Sequence, residues 1–364
     1  MRILLLGRKQ IAKAEDIVTA FKNLKAQVDF VLLPGFHYTR QGDTYETSLG
    51  TYPSPSTRSR KAYYVKHFFC ITLLLPLRFR ENHYNVLFAI DWFEGVILLI
   101  YKFFFARQAK LIFYSYDFYF FNSKCSSRFL INQIDAWVAK HADEVWNVND
   151  AIRSEREKQG TFAKVNKTVP LGITRKVDEW EPKNPKSFLF VGNFKSGHNL
   201  VKLVEIFSRL AQKDARFQLT LVGHGNLEDQ IKKILKEKQV SPHNIRLRGF
   251  VAETELLEEI RRGEYAYGIA LYEKTREVIC VDPGKVKDYL SWGLPVLITE
   301  TNAIAETIRD EQLGKIATSD DEQTITRLLE DVSLEEVRAQ QENIHRYVSN
   351  HSFEKILRES LSVL

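Results

Sequence analysis

The chain has 364 residues, which is too many for one ordinary hydrophobic core, so its length predicts two domains. Hydrophobic residues make up 44% and charged residues 27%, a composition that excludes a disordered chain. Residues 1–170 carry 24 lysines and arginines against 15 acidic residues, whereas residues 171–364 carry 28 against 31. This uneven charge predicts that the first half faces a polyanion or an anionic surface.

The compartment is predicted from the cysteines and the apolar segments. Cys70, Cys125 and Cys280 are widely spaced and form no Cys-x-x-Cys pair, which favours a reducing, cytoplasmic location and argues against a metal site. The opening MRILLLG has the length of a buried strand rather than of a signal peptide. The apolar run at residues 68–77 is too short to cross a bilayer.

In the first half, short apolar runs alternate with segments of helical periodicity. The predicted strands are residues 2–7, 28–35, 84–91, 110–117 and 143–150, and the predicted helices are about 11–24, 61–79, 93–106, 127–141 and 151–159. The segment KTVPLGI, residues 167–173, closes this half. Residues 36–60 are polar and rich in Gly, Ser, Thr and Pro, so we expect a loop there.

A polar segment with two prolines, residues 173–187, is predicted to be a linker, after which the alternation restarts. The predicted strands are 188–194, 217–225, 245–251, 265–272 and 295–299, and the predicted helices are 198–213, 226–238, 253–262, 284–292, 302–309, 321–331, 334–349 and 351–363. Short apolar strands between amphipathic helices are typical of parallel sheets covered on both faces. We therefore predict an α/β protein with two Rossmann-like domains, residues 1–173 and 174–345, facing across a cleft, and a helix at 346–364 that could return to the first domain.

Four segments of the second half resemble, in order, the motifs of the donor domain of GT-B glycosyltransferases in the retaining family 4. They are FLFVGNF (188–194), LTLVGHGNLEDQIKKIL (219–235), IRLRGFVAETELLEEI (245–260) and DPGKVKDYLSWGLPVLIT (282–299). The resemblance covers about residues 186–316 and implies a nucleotide-diphosphate sugar as donor and a glycan or lipid-linked acceptor. It implies no cofactor and, with no Asp-x-Asp motif in the sequence, no metal.

The most specific of these motifs predicts a diphosphate site. Gly284 and Lys285 occupy the first turn of a helix, where backbone N–H groups and an ammonium suit an anion. Asp288, one turn on, matches a family glutamate that binds ribose, although a solvated ion pair with Lys285 is the alternative. The family's second glutamate is replaced by Cys280, with Asp282 and Glu277 nearby.

Two glycine-containing turns supply the other candidate donor contacts. Gly192 ends the first strand of the second domain, and Asn193 and His198 stand where the family has phosphate-binding Arg and Lys. Lys195 lies between them and could replace the missing charge or be an ordinary loop lysine. Gly223 and Gly225 also end a strand and open a helix, so they either admit a nucleotide closely or only form a tight turn.

Strand ends of the first half supply candidates for the acceptor or phosphate side. Gly7 and Arg8 end the first strand, and Arg8 either faces a donor phosphate or points to water. Tyr116 and Asp117 stand where the family often has His-Asp, so Tyr116 could bind a sugar hydroxyl and Asp117 could orient the acceptor. Asp91 ends another strand, and for all three a purely structural polar strand end is the alternative.

The basic and aromatic character of residues 57–110 is consistent with contact to an anionic membrane surface, with buried helices that have solvated basic ends as the alternative. The expected function is sugar transfer in bacterial surface polysaccharide assembly, by a protein peripheral to the inner face of the plasma membrane. A catalytically reduced binding subunit or a nucleotide-sugar epimerase stays open. A dinucleotide oxidoreductase is disfavoured, because no Gly-x-Gly-x-x-Gly follows a first strand, and no nucleic-acid module is visible.

Overall fold

The computed structural model describes residues 1–9, 13–35, 43–57, 59–80, 83–116, 118, 126–274, 283–301 and 303–361. The chain forms two compact units, one of residues 1–172 together with 353–364 and the other of residues 173–352. The C-terminal segment therefore divides: residues 346–352 remain with the second unit, and the chain returns to the first unit at Phe353. Among the described residues, no helix has the length and apolarity needed to cross a membrane.

The first unit contains eight described strands and six described helices. They are β1 (Arg2–Arg8), α1 (Ala14–Asn23), β2 (Gln27–Leu33), β3 (Thr44–Thr47), β4 (Gly50–Pro53), α2 (Arg60–Phe79), β5 (Val86–Ile90), α3 (Trp92–Phe105), β6 (Lys110–Ser115), α4 (Ser126–His141), β7 (Glu144–Asn147), α5 (Asp150–Gln159), β8 (Val165–Thr168) and, from the end of the chain, a helix at Phe353–Leu361. The strands form one sheet in the order β4-β3-β2-β1-β5-β6-β7-β8.

The hairpin of β3 and β4 lies within the segment that was predicted to be a loop. These strands pair antiparallel with each other, and β3 also pairs antiparallel with β2, whereas all the other neighbours in the sheet are parallel. Tyr45 and Tyr52 are cross-strand partners, and the Tyr45 hydroxyl lies 2.8 Å from Nδ1 of His67 on α2. The strands were missed because they are four residues long at a sheet edge, where polar side chains obscure the alternation.

Helices α2, α3 and α4 cover the same face of this sheet. Side chains of all three helices join those of the central strands in one hydrophobic core, and α3 packs between α2 and α4. The C-terminal helix packs against α1, where Asn23 Nδ2 donates to Glu354 Oε1 at 2.8 Å. Gly172 permits this return, because a Cβ there would lie 2.5 Å from Phe353 Cα.

The second unit contains six described strands and seven described helices. They are β9 (Ser187–Val191), α6 (Leu200–Lys213), β10 (Gln218–Val222), α7 (Glu228–Glu237), β11 (Ile245–Arg248), α8 (Glu253–Arg261), β12 (Tyr267–Ala270), α9 (Gly284–Ser291), β13 (Val296–Thr299), α10 (Ala303–Asp310), β14 (Gly314–Ala317), α11 (Glu322–Glu330) and α12 (Leu334–Asn350). We call the helix at Phe353–Leu361 α13.

All strands of the second unit are parallel, in the order β11-β10-β9-β12-β13-β14. This is the doubly wound order of a Rossmann sheet, which reverses direction between β9 and β12 and places ligand sites outside the carboxyl ends of the strands. The predicted α/β class is confirmed. Strand β14 was not predicted, because GKIA is short and begins with a glycine, which is disfavoured in strands. That glycine is needed, since a Cβ on Gly314 would lie 2.0 Å from Val296 O.

Candidate functional site: the N-terminus of α9 and the adjoining strand ends

Helix α9 begins without a cap of its own. Pro283 is the N-cap residue, it makes no side-chain capping bond, and the first turn contains no acidic residue. The helix therefore presents backbone N–H groups and a partial positive charge without a side-chain cap from the residues that the structure describes. Lys285 lies in this first turn, and its side chain adds a further positive charge at the N-terminus of the helix.

Tyr289 fixes α9 against β9 and β12, the two central strands between which the strand order reverses. Its hydroxyl accepts the Val191 N–H at 2.9 Å, at the end of β9, and donates to Ile269 O at 3.2 Å, in β12. The Tyr289 ring fills the space above Gly268, where a Cβ would lie 2.3 Å from a ring carbon. The helix N-terminus is thus held beside the carboxyl end of β9.

The ammonium of Lys285 is buried although part of its side chain remains exposed. Nζ lies 4.2 Å from the ring centre of Phe190 and 5.3 Å from that of Tyr272. It has no hydrogen-bond partner among the described residues. Burial, reinforced by the positive charge of Lys195, lowers the pKa of Lys285 from 10.5 to about 7. An ion pair with Lys285 was the alternative role for Asp288, and the structure shows no such interaction at the Lys285 ammonium.

A buried ammonium of this kind has a chemical consequence. A charge removed from water is costly unless an opposite charge or a hydrogen-bond acceptor compensates it. Here two aromatic faces offer partial compensation through their electron density. An anion at the α9 N-terminus would complete it, and would raise the pKa of the lysine again.

His198 and Lys195 lie close to this ammonium. Nδ1 of His198 lies 2.9 Å from Asn193 O, an arrangement that assigns the proton to Nδ1 and leaves Nε2 as the acceptor. Burial, with the charge of Lys285 next, lowers the pKa of His198 to about 4, so the imidazole is neutral at pH 7. Lys195 is exposed. The structure therefore groups Lys285, Lys195 and a neutral His198.

The glycines around the β9 turn are required by backbone packing. Gly192 has a φ of +147° and its N–H donates to Val222 O at 3.0 Å. A Cβ on Gly223 would lie 2.0 Å from Gly192 O, and one on Gly225 would lie 2.2 Å from Phe194 O. The close approach of the two turns accounts for Gly223 and Gly225 without a ligand. A Cβ on Gly192 would lie 3.2 Å from Lys285 Nζ, so its absence makes room for the ammonium.

The remaining donor candidates are less well defined by the structure. Asp288 is partly exposed on α9, one turn after Lys285, and its ribose role stays a prediction. Asn193 is exposed beside Gly192. Asp282, together with Cys280 and Glu277, lies outside the described residues. No group of three or more His, Cys, Asp or Glu side chains with metal-binding geometry occurs in the part of the chain that the structure describes.

In the first unit, Arg8 neither reaches water nor stands open to a phosphate. Its side chain is fully buried at the end of β1, where Nη2 lies 2.5 Å from Asp91 Oδ2 and Nε lies 2.8 Å from Glu94 Oε1. Asp91 also caps α3 by accepting the Trp92 N–H at 2.8 Å. Arg8 was expected to face either a donor phosphate or water, and both expectations are wrong, because carboxylates of its own unit bind it. Gly7 is tightly packed, since a Cβ there would lie 3.0 Å from Ile90 Cδ1.

Sequence reasoning missed Glu94, the third member of this buried cluster. Desolvation raises its pKa to about 7 even though Arg8 opposes the shift. The signal was present, because Glu94 is the one acidic residue in the apolar segment WFEGVILLIYKFFF of α3. An acid in the middle of an apolar helix usually has a buried partner.

A second buried arginine lies near Tyr116 and was also missed. Arg156 of α5 is fully buried, with Nη1 2.7 Å from Asp135 Oδ2 and Nη2 2.6 Å from the hydroxyl of Ser115. Tyr116 follows Ser115 and is partly exposed. Asp117 lies outside the described residues, so the sugar-binding roles of Tyr116 and Asp117 stay predictions.

Comparison with known proteins agrees with the fold and with the position of the donor motifs. Residues 185–332 match the model of the family described as glycosyl transferases group 1. The search of curated proteins found no match. The matched segment begins just before β9 and ends after α11, and so contains every donor candidate named above.

Several solved structures are similar over the whole chain. Sucrose-phosphate synthase from Thermosynechococcus elongatus aligns with a TM-score of 0.70 and 13% identity, over 100% of this chain and 98% of that one. Anabaena HepE in complex with UDP-glucose aligns with 0.68 and 13%, over 100% of both chains. The lipopolysaccharide outer core galactosyltransferase WaaB aligns with 0.61 and 13%, also over 100% of both. The family match and the shared fold confirm the prediction of a GT-B type glycosyltransferase, while its assignment to family 4 stays a prediction.

Proposed function

We propose that this protein transfers a sugar from a nucleotide-diphosphate donor to a glycan or lipid-linked acceptor, and that the N-terminus of α9 holds the donor diphosphate. The observation that carries the proposal is the buried ammonium of Lys285, which has no acceptor among the described residues and lies in the uncapped first turn of a helix. The buried ammonium and the uncapped helix N-terminus each favour an anion, and together they suit a diphosphate.

The proposed reaction retains the configuration of the sugar and needs no metal. The bond between the anomeric carbon and the diphosphate oxygen breaks, and its electron pair goes to the diphosphate. The acceptor hydroxyl forms the new bond, and its proton passes to the leaving diphosphate. Lys285 and the α9 N–H groups stabilise the negative charge that develops on the leaving group. Lys195 would add a second, more exposed charge, whereas His198 is neutral at pH 7 and would contribute hydrogen bonding only.

The nucleotide and the acceptor are proposed from similarity. HepE was crystallised with UDP and UDP-glucose, and the pneumococcal O-GlcNAc transferase GtfA with UDP and GlcNAc. A uridine nucleotide is therefore the first probe for this chain. By analogy with the galactosyltransferase of the lipopolysaccharide outer core, we propose a role in bacterial surface polysaccharide assembly at the cytoplasmic face of the plasma membrane.

A catalytically reduced binding subunit is the second candidate, because the phosphate-binding Arg and Lys that the resemblance implies are replaced by Asn193 and His198, and the second glutamate by Cys280. His198 stands at the position of the family's phosphate-binding lysine, and its low pKa leaves it uncharged. An epimerase of the same architecture would instead act on the donor without an acceptor. Turnover of a bound nucleotide sugar, measured with and without acceptor, separates these alternatives from a transferase.

The donor assignment is tested by calorimetry with UDP, GDP and dTDP. We expect one of them to bind the full chain, and Lys285→Ala to weaken that binding by at least about a hundredfold, as for other charge-assisted contacts in a dry site. Lys236→Ala, which removes an exposed lysine of α7, is the matched control and should bind like the wild type. If no nucleotide binds, or if the two variants behave alike, the diphosphate site is refuted.

A further inference from the structure

One side of α2 is apolar and exposed. Val65, Phe69, Leu73 and Leu77 follow one another at intervals of four residues, which places them along one stripe of the helix. Their exposed fractions are 58%, 62%, 63% and 78%. The opposite side of α2, with Ile71, Leu75 and Phe79, is buried in the core of the first unit. The exposed stripe is therefore additional to the face that the fold needs.

The neighbouring helices extend this apolar surface. Exposed aromatic and aliphatic side chains also occur at the end of α3 and along α4. They are Phe103, Phe104, Phe105, Phe129, Leu130 and Trp137. Because α2, α3 and α4 pack side by side on one face of the sheet, these residues and the α2 stripe lie on the outside of a single helical layer. We call this surface the α2–α4 face. An apolar surface of this extent marks an interaction site.

The charges on the α2–α4 face have one sign. The three helices contain only two acidic residues, Glu94 and Asp135, and both are buried in ion pairs with Arg8 and Arg156. The exposed charged residues described on the same helices are all basic. They are Lys61, Lys66, Arg78 and Lys140. Exposed apolar side chains whose described charged neighbours on these helices are lysines and arginines complement an anionic lipid surface, in which rings insert and cations meet headgroups.

We propose that the α2–α4 face is a monotopic docking surface for an anionic lipid bilayer, with Phe69, Leu73 and Leu77 inserted at the level of the headgroups. This extends the basic segment at 57–110 to α4, whose Trp137 has an amphipathic ring suited to the membrane interface. A second copy of the chain is the alternative occupant. It fits less well, because two such faces would bring lysines and arginines together without acids to pair them.

The docking proposal rests on the proposed function in one respect only, namely the role of docking, which would bring the enzyme to a lipid-linked acceptor. Binding itself requires neither donor nor acceptor. It can therefore be tested apart from nucleotide binding, and the two proposals can fail independently.

The test is flotation of the full chain with vesicles of phosphatidylcholine alone or mixed with phosphatidylglycerol. We expect binding to the anionic vesicles, and binding at least about tenfold weaker to the neutral ones or at high salt. The triple variant Phe69→Ser, Leu73→Ser, Leu77→Ser should bind anionic vesicles at least about tenfold more weakly. Phe250→Ser, which removes an exposed phenylalanine of the second unit, is the matched control and should bind unchanged.

Thermal melting of each variant shows that it is folded. The double variant Phe103→Ser, Phe104→Ser tests a second helix of the same face and should also bind anionic vesicles more weakly. Equal flotation of the wild type and the triple variant would overturn the proposal. So would a wild-type dimer in sedimentation equilibrium that the triple variant abolishes, without vesicle binding. A chain that floats but binds no nucleotide would refute the donor site and leave the docking surface standing.

Discussion

Replacing Lys285 with methionine should stabilise the free protein while removing its affinity for the donor. Methionine keeps the length of the side chain and its contact with Phe190 and Tyr272, but it has no charge to desolvate. In the wild type the buried ammonium is the source of a stability cost, because burial lowers its pKa from 10.5 to about 7.

The magnitude and sign follow from proton linkage. Between pH 7 and 10.5 the unfolded chain binds a proton at Lys285 that the folded chain has released, so wild-type stability rises with pH across this window. At 1.36 kcal/mol per pH unit, the cost below pH 7 is at most about 5 kcal/mol. Lys285→Met should therefore be more stable than the wild type by a few kcal/mol at pH 6 to 7, an advantage that disappears towards pH 10.5.

The assay is denaturant unfolding of both proteins at several values of pH between 6 and 10. Lys195→Met is the matched control, because it removes a neighbouring but exposed lysine and should show no comparable gain. A wild type and Lys285→Met whose free energies of unfolding differ by the same amount at every pH would refute the reasoning, since the ammonium would then carry no burial cost.

Nucleotide binding supplies the complementary measurement. A diphosphate beside Lys285 should raise the pKa of its ammonium again, so that the wild type takes up protons on binding UDP at pH 8. Calorimetry in buffers of different ionisation enthalpy counts those protons. Binding without proton uptake would mean that the diphosphate does not meet this ammonium.

Three further changes test other parts of the structure. Gly223→Ala should destabilise the second unit by about 3 kcal/mol or more, measured by denaturant unfolding, because φ is +137° and the new Cβ would lie 2.0 Å from Gly192 O. Tyr289→Phe should cost about 1–3 kcal/mol and weaken UDP binding, because Val191 N–H loses its acceptor and α9 loses its anchor. Burial raises the pKa of Glu94 from 4.5 to about 7. The protonated side chain therefore contributes stability that is fully present below pH 4.5 and is lost as the pH rises to 7. In Glu94→Gln, the free energy of unfolding measured with denaturant should depend less on pH across that window.

The layered fold could be predicted because buried strands and amphipathic helices have periods that local sequence displays. Segments such as FLFVG and PVLIT are apolar throughout, as strands covered on both faces must be. The exceptions are the hairpin strands β3 and β4 and the edge strand β14. They are short, and the pairing of β3 and β14 is decided by neighbours distant in sequence, such as Val31 for β3 and Val296 for β14.

The arrangement at the start of α9 could be anticipated from the sequence better than the partners of Arg8, for a physical reason. At Gly284 and Lys285 the backbone and the side chain lie at adjacent positions and would meet the same proposed ligand, so a local motif contains the information. The partners of Arg8 lie 83 and 86 residues further on. Whether a basic residue at a strand end meets a phosphate, water or a buried carboxylate depends on such distant residues, which single-sequence reasoning does not bring together.

The contrast between the buried cations strengthens the assignment of the donor site. Arg8 and Arg156 are each buried with carboxylates of their own unit. The folded chain therefore compensates a buried cation with acids when the cation serves the structure. Lys285 is buried to the same degree at its ammonium, and among the described residues it meets two aromatic rings and no hydrogen-bond acceptor. A compensating acid within reach would compete with a diphosphate, and the described part of the chain places none beside this ammonium, as an anion site requires.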